Sequence, residues 1–484
     1  MIGIKKIVSH VAILCVLTRG GWVGVASATT KEPVPKNLPN IILIFTDDQG
    51  YQDIGVFGSP NISTPHLDAM AKEGIKFKQF YVASSVCSPS RASILTGRLG
   101  HRNGVVRVLK PDSLGLPASE VTIAEMLKQK NYQTAAIGKW HLGDLPDSLP
   151  TAQGFDYYYG VPYSNDMYIG ATHSFSENVK FNQQYNLEKA EADQIKVRSG
   201  NNLYKKLRPL GVMDIVPLFE NEKIIEYPAD QSRLTQRYFN KALGFIEANQ
   251  DQPFFVYLTP NMPHTPLHVS EQFKGKSKRG LYGDVIEEID WNVGRLRSHL
   301  DKLNLTDNTL IIYTSDNGPW LAKKEHGGSA LPFKKGKTTN FEGGVRVPAV
   351  AVWPNRIKAN QISTDMVSAM DLLPTFAALT DAKLPAVIID GQNIENHLIN
   401  TDVPTARTEI IYTHYDGLAG IRLNNWKYMR PGMDALWTNA PNTTWLYNLN
   451  EDPSEKNNLA NKFPEKVKQL EQRLKLVEQS LTLP

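Results

Sequence analysis

The chain has 484 residues, of which 41% are apolar and 21% are charged, and its formal net charge is +4. This composition is ordinary for a globular protein, and the length allows one large domain with an appendage or two to three domains. Beyond the first residues, no stretch approaches the roughly 18 consecutive apolar residues of a membrane-spanning helix, which excludes a membrane span.

Residues 1–28 have the features of an export signal peptide. Lys5 and Lys6 precede a short apolar run, and small residues at 26–28 fit a cleavage site. Cleavage would leave a nearly neutral chain, which gives no electrostatic case for nucleic-acid binding. It would also remove Cys15, so that Cys87 would have no disulfide partner. We expect an exported protein, periplasmic or secreted.

After a linker at 29–38, short apolar runs alternate with helical patterns, which is typical of an α/β fold. Near-continuous apolar runs predict buried parallel strands. These strands are 40–46, 132–138, 253–259 and 308–314. Apolar residues at helical spacing predict helices at 122–130, 285–303 and 365–380.

Two further regions do not show this alternation of apolar runs and helical patterns. Residues 165–235 are polar and weakly periodic, and we interpret them as an insertion near the surface. From about residue 405, short strand-like pieces precede a polar amphipathic helix. We therefore predict a main domain at 39–400 and, at 401–484, a smaller subdomain with an antiparallel sheet and a helix.

Polar side chains follow the ends of the predicted strands. Asp47 and Asp48 follow the first strand, and Asp316 and Asn317 follow the last. Each pair alone is more often a turn or a helix cap. Because ligand crevices lie outside the carboxyl ends of parallel strands, we expect the pairs to converge. Such oxygen ligands favour Ca²⁺ or Mg²⁺ over Zn²⁺.

Cys87 directly precedes a short predicted helix. Ser88 fits the N-cap, Pro89 the first helical position and Gly97 the C-terminal stop. A helix N-terminus favours bound anions and lowers the pKa of a nearby thiol. A lone cysteine is otherwise more often a buried, inert residue.

Cationic and acid–base side chains occur at matching places. Lys139 and His141 are two residues apart beyond a predicted strand, and an extended backbone would point both the same way. His264 follows another strand, and Lys337 lies in a glycine-containing loop. Singly, each is more often structural. Together they describe a pocket that binds a tetrahedral anion and protonates its leaving group.

These motifs resemble those of the type I sulfatases of the alkaline phosphatase superfamily. "CSPSRASILTGR" resembles the signature whose cysteine is oxidised to Cα-formylglycine, and "LIFTDDQGYQDIGVFG" resembles the first metal motif. "GKWHLG", "PHTP", "TSDNG" and "GKTTNFEGGVRVP" resemble later active-site segments, and "LYNLNEDPSEKNNLA" a C-terminal signature. The resemblance implies an alkaline-phosphatase-like sandwich with a large, mostly parallel mixed sheet flanked by helices.

The resemblance also implies a metal site and a nucleophile. One Ca²⁺ would be held by Asp47, Asp48, Asp316, Asn317 and the modified Cys87. A hydroxyl of hydrated formylglycine would attack sulfur, and the ester alcohol would leave. Collapse of the resulting hemiacetal sulfate would then expel sulfate and regenerate the aldehyde. A formylglycine-generating or anaerobic sulfatase-maturating enzyme would be the required partner.

The remaining site residues receive roles from the same resemblance. Arg91 would stabilise the hydrated aldehyde, and Lys139 and Lys337 would hold sulfate oxygens. His264 would be the acid toward the leaving oxygen, and His141 would assist the formylglycine hydroxyl. Ser164 in "GVPYSNDM" occupies the position of a supporting serine.

Several functions remain open on the sequence. The leading prediction is a sulfatase acting on a sulfated polysaccharide or oligosaccharide, with marine galactans such as carrageenan as one candidate class. The polar, aromatic insertion and loop residues such as Trp320 and His414 are suited to binding sugars. The alternatives are an arylsulfatase of broad specificity, a phosphatase or phosphonate monoester hydrolase on the same fold, and a non-catalytic binding protein.

Overall fold

The computed structural model describes residues 38–200, 204–437 and 440–481, and the predicted signal peptide lies outside them. Within these ranges the strands form two sheets. The strands are β1 (Asn40–Thr46), β2 (Ile75–Tyr81), β3 (Gln133–Lys139), β4 (Tyr157–Val161), β5 (Phe175–Phe181), β6 (Leu218–Glu220), β7 (Lys223–Tyr227), β8 (Phe254–Thr259), β9 (Thr309–Ser315), β10 (Arg346–Val352), β11 (Gln361–Ser363), β12 (Val367–Ser368), β13 (Glu409–His414), β14 (Gly417–Leu423), β15 (Trp426–Met429) and β16 (Trp445–Asn448).

Helices connect these strands and cover the larger sheet. They are α1 (Pro65–Glu73), α2 (Cys87–Thr96), α3 (Gly100–Asn103), α4 (Ile123–Lys128), α5 (Leu187–Ser199), α6 (Tyr204–Leu207), α7 (Leu234–Ala248), α8 (Leu281–Lys302), α9 (Glu342–Val345), α10 (Leu372–Thr380), α11 (Glu395–Ile399) and α12 (Pro464–Ser480). None of them, in the described part of the chain, is long and apolar enough to cross a membrane.

The larger sheet is mixed and mostly parallel, as predicted. Its strand order among the described residues is β11-β2-β10-β9-β1-β8-β3-β4-β6-β7-β5, with β12 also paired to β2. The central strands β9, β1, β8, β3 and β4 are all mutually parallel. Antiparallel neighbours begin only at β10 and β6. The carboxyl ends of five strands therefore meet at one edge.

Apolar side chains on both faces explain why the central strands are near-continuous apolar runs. In β1, Ile41, Leu43 and Phe45 belong to the core on one face of the sheet. Ile42 and Ile44 belong to the core on the other face. A strand buried on both faces loses the alternation of apolar and polar residues.

The four predicted strands are confirmed to within one residue at each end. The helix predicted at 365–380 is shorter, because a 3-10 turn at Ala369–Asp371 precedes α10 and Pro374 lies in its first turn, where proline is tolerated. The region 165–235 is more than a surface insertion, since β5, β6 and β7 extend the large sheet.

The smaller sheet lies in the C-terminal part of the chain. Its order is β13-β14-β15-β16, and every pairing is antiparallel. Leu470 and Leu474 of α12 share a small core with Leu418 and Ile421 of β14. The antiparallel sheet and terminal helix predicted for this region are confirmed, while the domain boundary at 400 stays a prediction.

A buried ion cluster joins the smaller sheet to the larger fold. The Lys427 ammonium on β15 lies 3.0 Å from Glu342 of α9 and 2.7 Å from Glu455, and none of these side chains is exposed. The hydroxyl of Tyr81 on β2 donates to Glu342 at 2.5 Å. Lys427 therefore compensates two carboxylates that water does not reach.

We expect Lys427→Met to lower the free energy of unfolding by about 3–5 kcal/mol, because it leaves Glu455 buried without its cation and Glu342 dependent on Arg346, which lies 3.5 Å away. Chemical denaturation followed by fluorescence measures this. Lys475→Met is the control, since Lys475 is exposed and lies 3.7 Å from Glu471; it should change stability by less than about 0.5 kcal/mol. Equal stability of both variants would contradict the role of the cluster.

Candidate active site

The carboxyl ends of the parallel strands bring the predicted polar residues together. β1 ends next to Asp47, β9 next to Asp316, and β3 at Lys139. Gly138 allows β3 to approach β8 closely here, because a Cβ at this position would lie 2.0 Å from the carbonyl oxygen of Thr259. The convergence predicted from the strand ends is confirmed.

Cys87 lies inside the first turn of α2 and not before it. The helix begins at Cys87 with Val86 as N-cap, so the prediction of Ser88 as N-cap is wrong. The Ser88 hydroxyl instead accepts a hydrogen bond from the backbone of Leu109 at 3.0 Å. The thiol is 2% exposed, and α2 is buried over its whole length.

The acidic residues and Asn317 form one buried cluster around this helix start. The Cys87 thiol donates to Asp47 Oδ1 at 3.4 Å, and the Asp48 backbone N–H donates to Asp316 Oδ1 at 3.2 Å. Asn317 donates to Asp48 Oδ1 at 2.7 Å. The ligand atoms of Asp47, Asp48, Cys87 and His264 all lie within 4.8 Å of one another. The sequence did not place His264 in this group.

Two oxygens of the cluster are suited to a hard cation. Among the described residues, neither Asp48 Oδ2 nor Asn317 Oδ1 has a hydrogen-bond partner, although both atoms are buried. Burial and the neighbouring Asp47 carboxylate raise the pKa of Asp316 to about 7. Close, partly unpaired oxygens from carboxylates and an amide are what Ca²⁺ binds in proteins. The residues therefore fit the predicted metal.

Three cations lie against the carboxylates. Lys139 is 2.5 Å from Asp47, and Lys337 is 2.6 Å from Asp48. Arg91 is 2.9 Å from Asp316. Burial opposes the charge of each lysine, yet the adjacent carboxylates raise the pKa of both Lys139 and Lys337. Both ammonium groups therefore stay charged.

The predicted lowering of the Cys87 pKa is wrong. Burial and the Asp316 carboxylate raise the pKa of this thiol well above its ordinary value, and Lys139 and Lys337 do not offset them. The ammonium of Lys337 donates to the sulfur at 3.5 Å. Burial among carboxylates thus outweighs the two ammonium groups that act on the thiol.

His264 is oriented by two residues that follow β4. Its Nδ1 lies 3.1 Å from Asn165 Oδ1, and the Asn165 amide nitrogen donates to Pro266 O at 2.9 Å, which turns its oxygen toward the ring. Ser164 Oγ lies 3.3 Å from His264 Nδ1 and 3.5 Å from Lys139 Nζ. Burial and Lys337 lower the pKa of His264. Sequence reasoning missed Asn165, although it adjoins the predicted Ser164.

His141 reaches the pocket by a different route from the one predicted. β3 ends at Lys139, and His141 has a φ of 62°, so the two side chains do not share one side of an extended strand. The Nε2 of His141 lies 3.0 Å from the carbonyl oxygen of Leu109. Burial and Lys139 lower its pKa well below the ordinary value. His141 is therefore a neutral side chain beside Cys87.

A cavity of ≈ 440 Å³ opens above Cys87. His141, Ser164, His264 and Lys337 line it, as does the predicted Trp320. Among the other lining residues, Asp166 and Met167 belong to the "GVPYSNDM" segment, and the rest come from distant loops without a local motif; none of these residues received a role from the sequence. They are Arg107, Val108, Lys110, Asp166, Met167, Tyr415 and Trp437. A pocket of this size accepts a ligand much larger than a sulfate ion.

Comparison with protein families decides the identity of this fold and site. The model of the family described as Sulfatase matches residues 39–382. The chain belongs to the sulfatase family. A second model, described as N-sulphoglucosamine sulphohydrolase, C-terminal, matches residues 334–480 of this sulfatase. The protein is thus a sulfuric ester hydrolase, as the sequence motifs predicted.

Individual relatives and a solved structure agree with this membership. Human arylsulfatase G is 37% identical to this sulfatase over 446 residues, covering 86% of the chain and 82% of the relative. Human N-acetylgalactosamine-6-sulfatase is 36% identical over 422 residues, covering 82% and 74%. The crystal structure of Ps i-CgsB in complex with k-i-k-neocarrahexaose is 32% identical, with a TM-score of 0.73 and coverage of 93% and 94%.

The raised pKa of the Cys87 thiol predicts slow alkylation of this sulfatase wherever position 87 is still cysteine. At pH 8 the folded protein should react with iodoacetamide more than about tenfold slower than the same protein in urea, because each unit of raised pKa lowers the thiolate fraction tenfold. Mass spectrometry of the peptide that contains Cys87 measures the rate. Equal rates in folded and unfolded protein would contradict the burial and charge described for this thiol.

Proposed function

We propose that this sulfatase is an exported enzyme that hydrolyses sulfate esters of a polysaccharide or oligosaccharide, with formylglycine made from Cys87 and one Ca²⁺. One observation carries the proposal: Cys87 lines the pocket and contacts both Asp47 of the acidic cluster and the Lys337 ammonium. The mechanism and the residue roles are part of the proposal.

Formylglycine at position 87 would supply, once hydrated, a hydroxyl nucleophile for the sulfur atom and a second hydroxyl for sulfate release. The chain places this position at the N-terminus of α2, where free backbone N–H groups favour an anion. Arg91, one turn further along α2, donates to Asp316 and to the carbonyl oxygen of Lys139. Arg91 is thereby fixed against the acidic cluster, where it would stabilise the hydrated aldehyde.

Asp47, Asp48, Asp316 and Asn317 would hold Ca²⁺, which would supply positive charge next to the nucleophile and the sulfate oxygens. The unpartnered oxygens of Asp48 and Asn317 support this assignment. A formylglycine oxygen at position 87 would complete the ligand set.

Lys139 and Lys337 would bind sulfate oxygens, because both ammonium groups are charged, Lys139 donating to Asp47 and Lys337 to the Cys87 sulfur. His264, when protonated on both ring nitrogens, would give its Nε2 proton to the leaving oxygen, since its Nδ1–H is directed to the Asn165 side-chain carbonyl oxygen. Ser164 contacts both Lys139 and His264 and would fix their relative positions. His141 would assist the formylglycine hydroxyl.

The proposal of a carbohydrate substrate is supported by the size of the pocket and by the names of the relatives. N-acetylgalactosamine-6-sulfatase and the neocarrahexaose complex both name a sugar, whereas arylsulfatase G names an aryl ester. Sulfated galactans such as carrageenan are the candidate class that the solved complex favours. A broad arylsulfatase is the alternative, and a panel of defined sulfated oligosaccharides, aryl sulfates and phosphate esters separates them.

Export and maturation complete the proposal. Residues 1–28 would direct export to the periplasm or medium, and a formylglycine-generating or anaerobic sulfatase-maturating enzyme would convert Cys87. "CSPSR", from Cys87 to Arg91, would be the segment that this partner recognises.

The enzyme with formylglycine confirmed by mass spectrometry should release sulfate from at least one member of the panel. Cys87→Ala should lower this rate by at least about 10³-fold, because it removes the nucleophile. Ser93→Ala is the matched control on the same helix, since the Ser93 hydroxyl has no hydrogen-bond partner among the described residues; its activity should stay within about twofold of the unaltered enzyme. Full activity of Cys87→Ala would contradict the mechanism.

Millimolar Ca²⁺ should raise the Tm by at least about 2 °C, because binding to the folded state alone stabilises it. Asp48→Asn should lose most of this Ca²⁺-dependent shift, since it removes one charged ligand. Asp251→Asn, a change at an exposed surface residue, should keep the full shift. Scanning calorimetry with and without chelator measures both, and an undiminished shift in Asp48→Asn would refute the assigned site.

A further inference from the structure

One wall of the active-site pocket is aromatic and leads outward from the catalytic groups. The Trp320 ring lies 5.6 Å from the His264 ring, and the Trp437 ring lies 6.0 Å from that of Trp320 at an angle of 66°. Tyr415 lines the same pocket. The three rings come from separate segments of the chain, so the wall exists only in the folded protein.

Trp437 is fixed in place yet exposes much of its ring. The backbone N–H of Leu436 donates to the carbonyl oxygen of Thr338 at 2.8 Å, which ties Trp437 to the loop that carries Lys337. Its ring also packs edge-on against the Trp320 ring. The side chain is nonetheless 48% exposed. A rigid, half-exposed tryptophan in a pocket offers a flat apolar surface to a ligand.

The wall lies on the leaving-group side of the pocket. His264 is the proposed acid toward the leaving oxygen, and Trp320 packs directly against it. Lys337 lies 4.8 Å from the Trp320 ring centre, so this ring also borders the group that would hold the sulfate. The part of the substrate that contacts Trp320 and Trp437 is therefore the alcohol to which the sulfate is esterified.

Asp166 indicates that the alcohol bound in this part of the pocket is a sugar and not a simple aryl group. It lines the same pocket, and its Oδ1 is buried without a hydrogen-bond partner among the described residues. A buried carboxylate oxygen without a donor is costly, so a ligand with hydroxyl groups is favoured over one without them. A sugar offers hydroxyl donors together with an apolar C–H face.

We propose that Trp437, with Trp320 and Asp166, forms a sugar-binding platform that selects a carbohydrate alcohol extending beyond the sulfated residue. The C–H face of a pyranose ring packs on the exposed Trp437 indole, and a hydroxyl of the bound sugar donates to Asp166. This inference rests on the proposed function, because it assumes that the pocket above Cys87 binds the sulfate ester.

The test measures KM for the best sulfated oligosaccharide of the panel and the inhibition constant of inorganic sulfate. Trp437→Ala should raise KM about 3- to 10-fold, because it removes one aromatic contact. The inhibition constant should change less than about twofold, since Trp437 contacts none of the sulfate-holding groups. Trp437→Phe should keep most of the affinity, and Leu476→Ala, at an exposed position on α12, should behave like the unaltered enzyme.

Asp166→Ala provides a second, independent readout. This substitution should raise KM for the oligosaccharide by a similar factor. The inhibition constant of 4-nitrophenyl sulfate, measured as a competing ligand, should stay within about twofold, because that compound has no hydroxyl donor. An equal effect on both compounds would overturn the role of Asp166 in selecting a sugar.

The remaining outcomes separate the platform from the proposed function. An unchanged oligosaccharide KM in Trp437→Ala, or a parallel rise in the sulfate inhibition constant, would overturn the platform while leaving the sulfatase proposal intact. A higher kcat/KM of the unaltered enzyme for 4-nitrophenyl sulfate than for every carbohydrate would overturn the selection of sugars. If the converted, unaltered enzyme released sulfate from no compound, the proposed function would fail before any variant was made.

Discussion

Charge pairing in a dry cleft is the constraint on which the active site depends. Asp47, Asp48 and Asp316 are buried at the carboxyl edge of the large sheet, and each lies against a buried cation. Ionised side chains cannot stay in such surroundings without partners, because losing water costs several kcal/mol for each ion. The carboxylates of this cluster are the groups able to hold a metal cation, and the paired side-chain cations are able to hold an anionic ester beside it.

The smaller sheet takes part in this arrangement although it contributes no residue to the acidic cluster. Lys427 on β15 compensates Glu342, and the backbone of 434–436 bonds to residues 338 and 340 of the loop that carries Lys337. Lys337 is thereby held against Asp48. The same segment positions Trp437, so one connection supports both the sulfate-binding lysine and the outer wall of the pocket.

The sequence was sufficient for those parts of the fold and site that follow from local pattern. Apolar runs located the central strands, and their parallel arrangement brought Asp47 and Asp316 together. Features that depend on distant contacts were not predictable. The pKa of Cys87 is set by burial among carboxylates that lie far away in sequence, and the His141 orientation depends on a left-handed backbone. Trp437 sits in a segment without a motif and reaches the pocket only through the smaller sheet.

The most direct measurement is a crystal structure of the formylglycine-containing enzyme grown with Ca²⁺, with the metal identified by anomalous scattering. One Ca²⁺ should appear bonded to oxygens of Asp47, Asp48, Asp316 and Asn317, at about 2.3–2.6 Å, next to residue 87. An active enzyme whose acidic cluster held no metal, with Arg91, Lys139 and Lys337 alone neutralising its carboxylates, would contradict the assignment of this cluster as the metal and sulfate site.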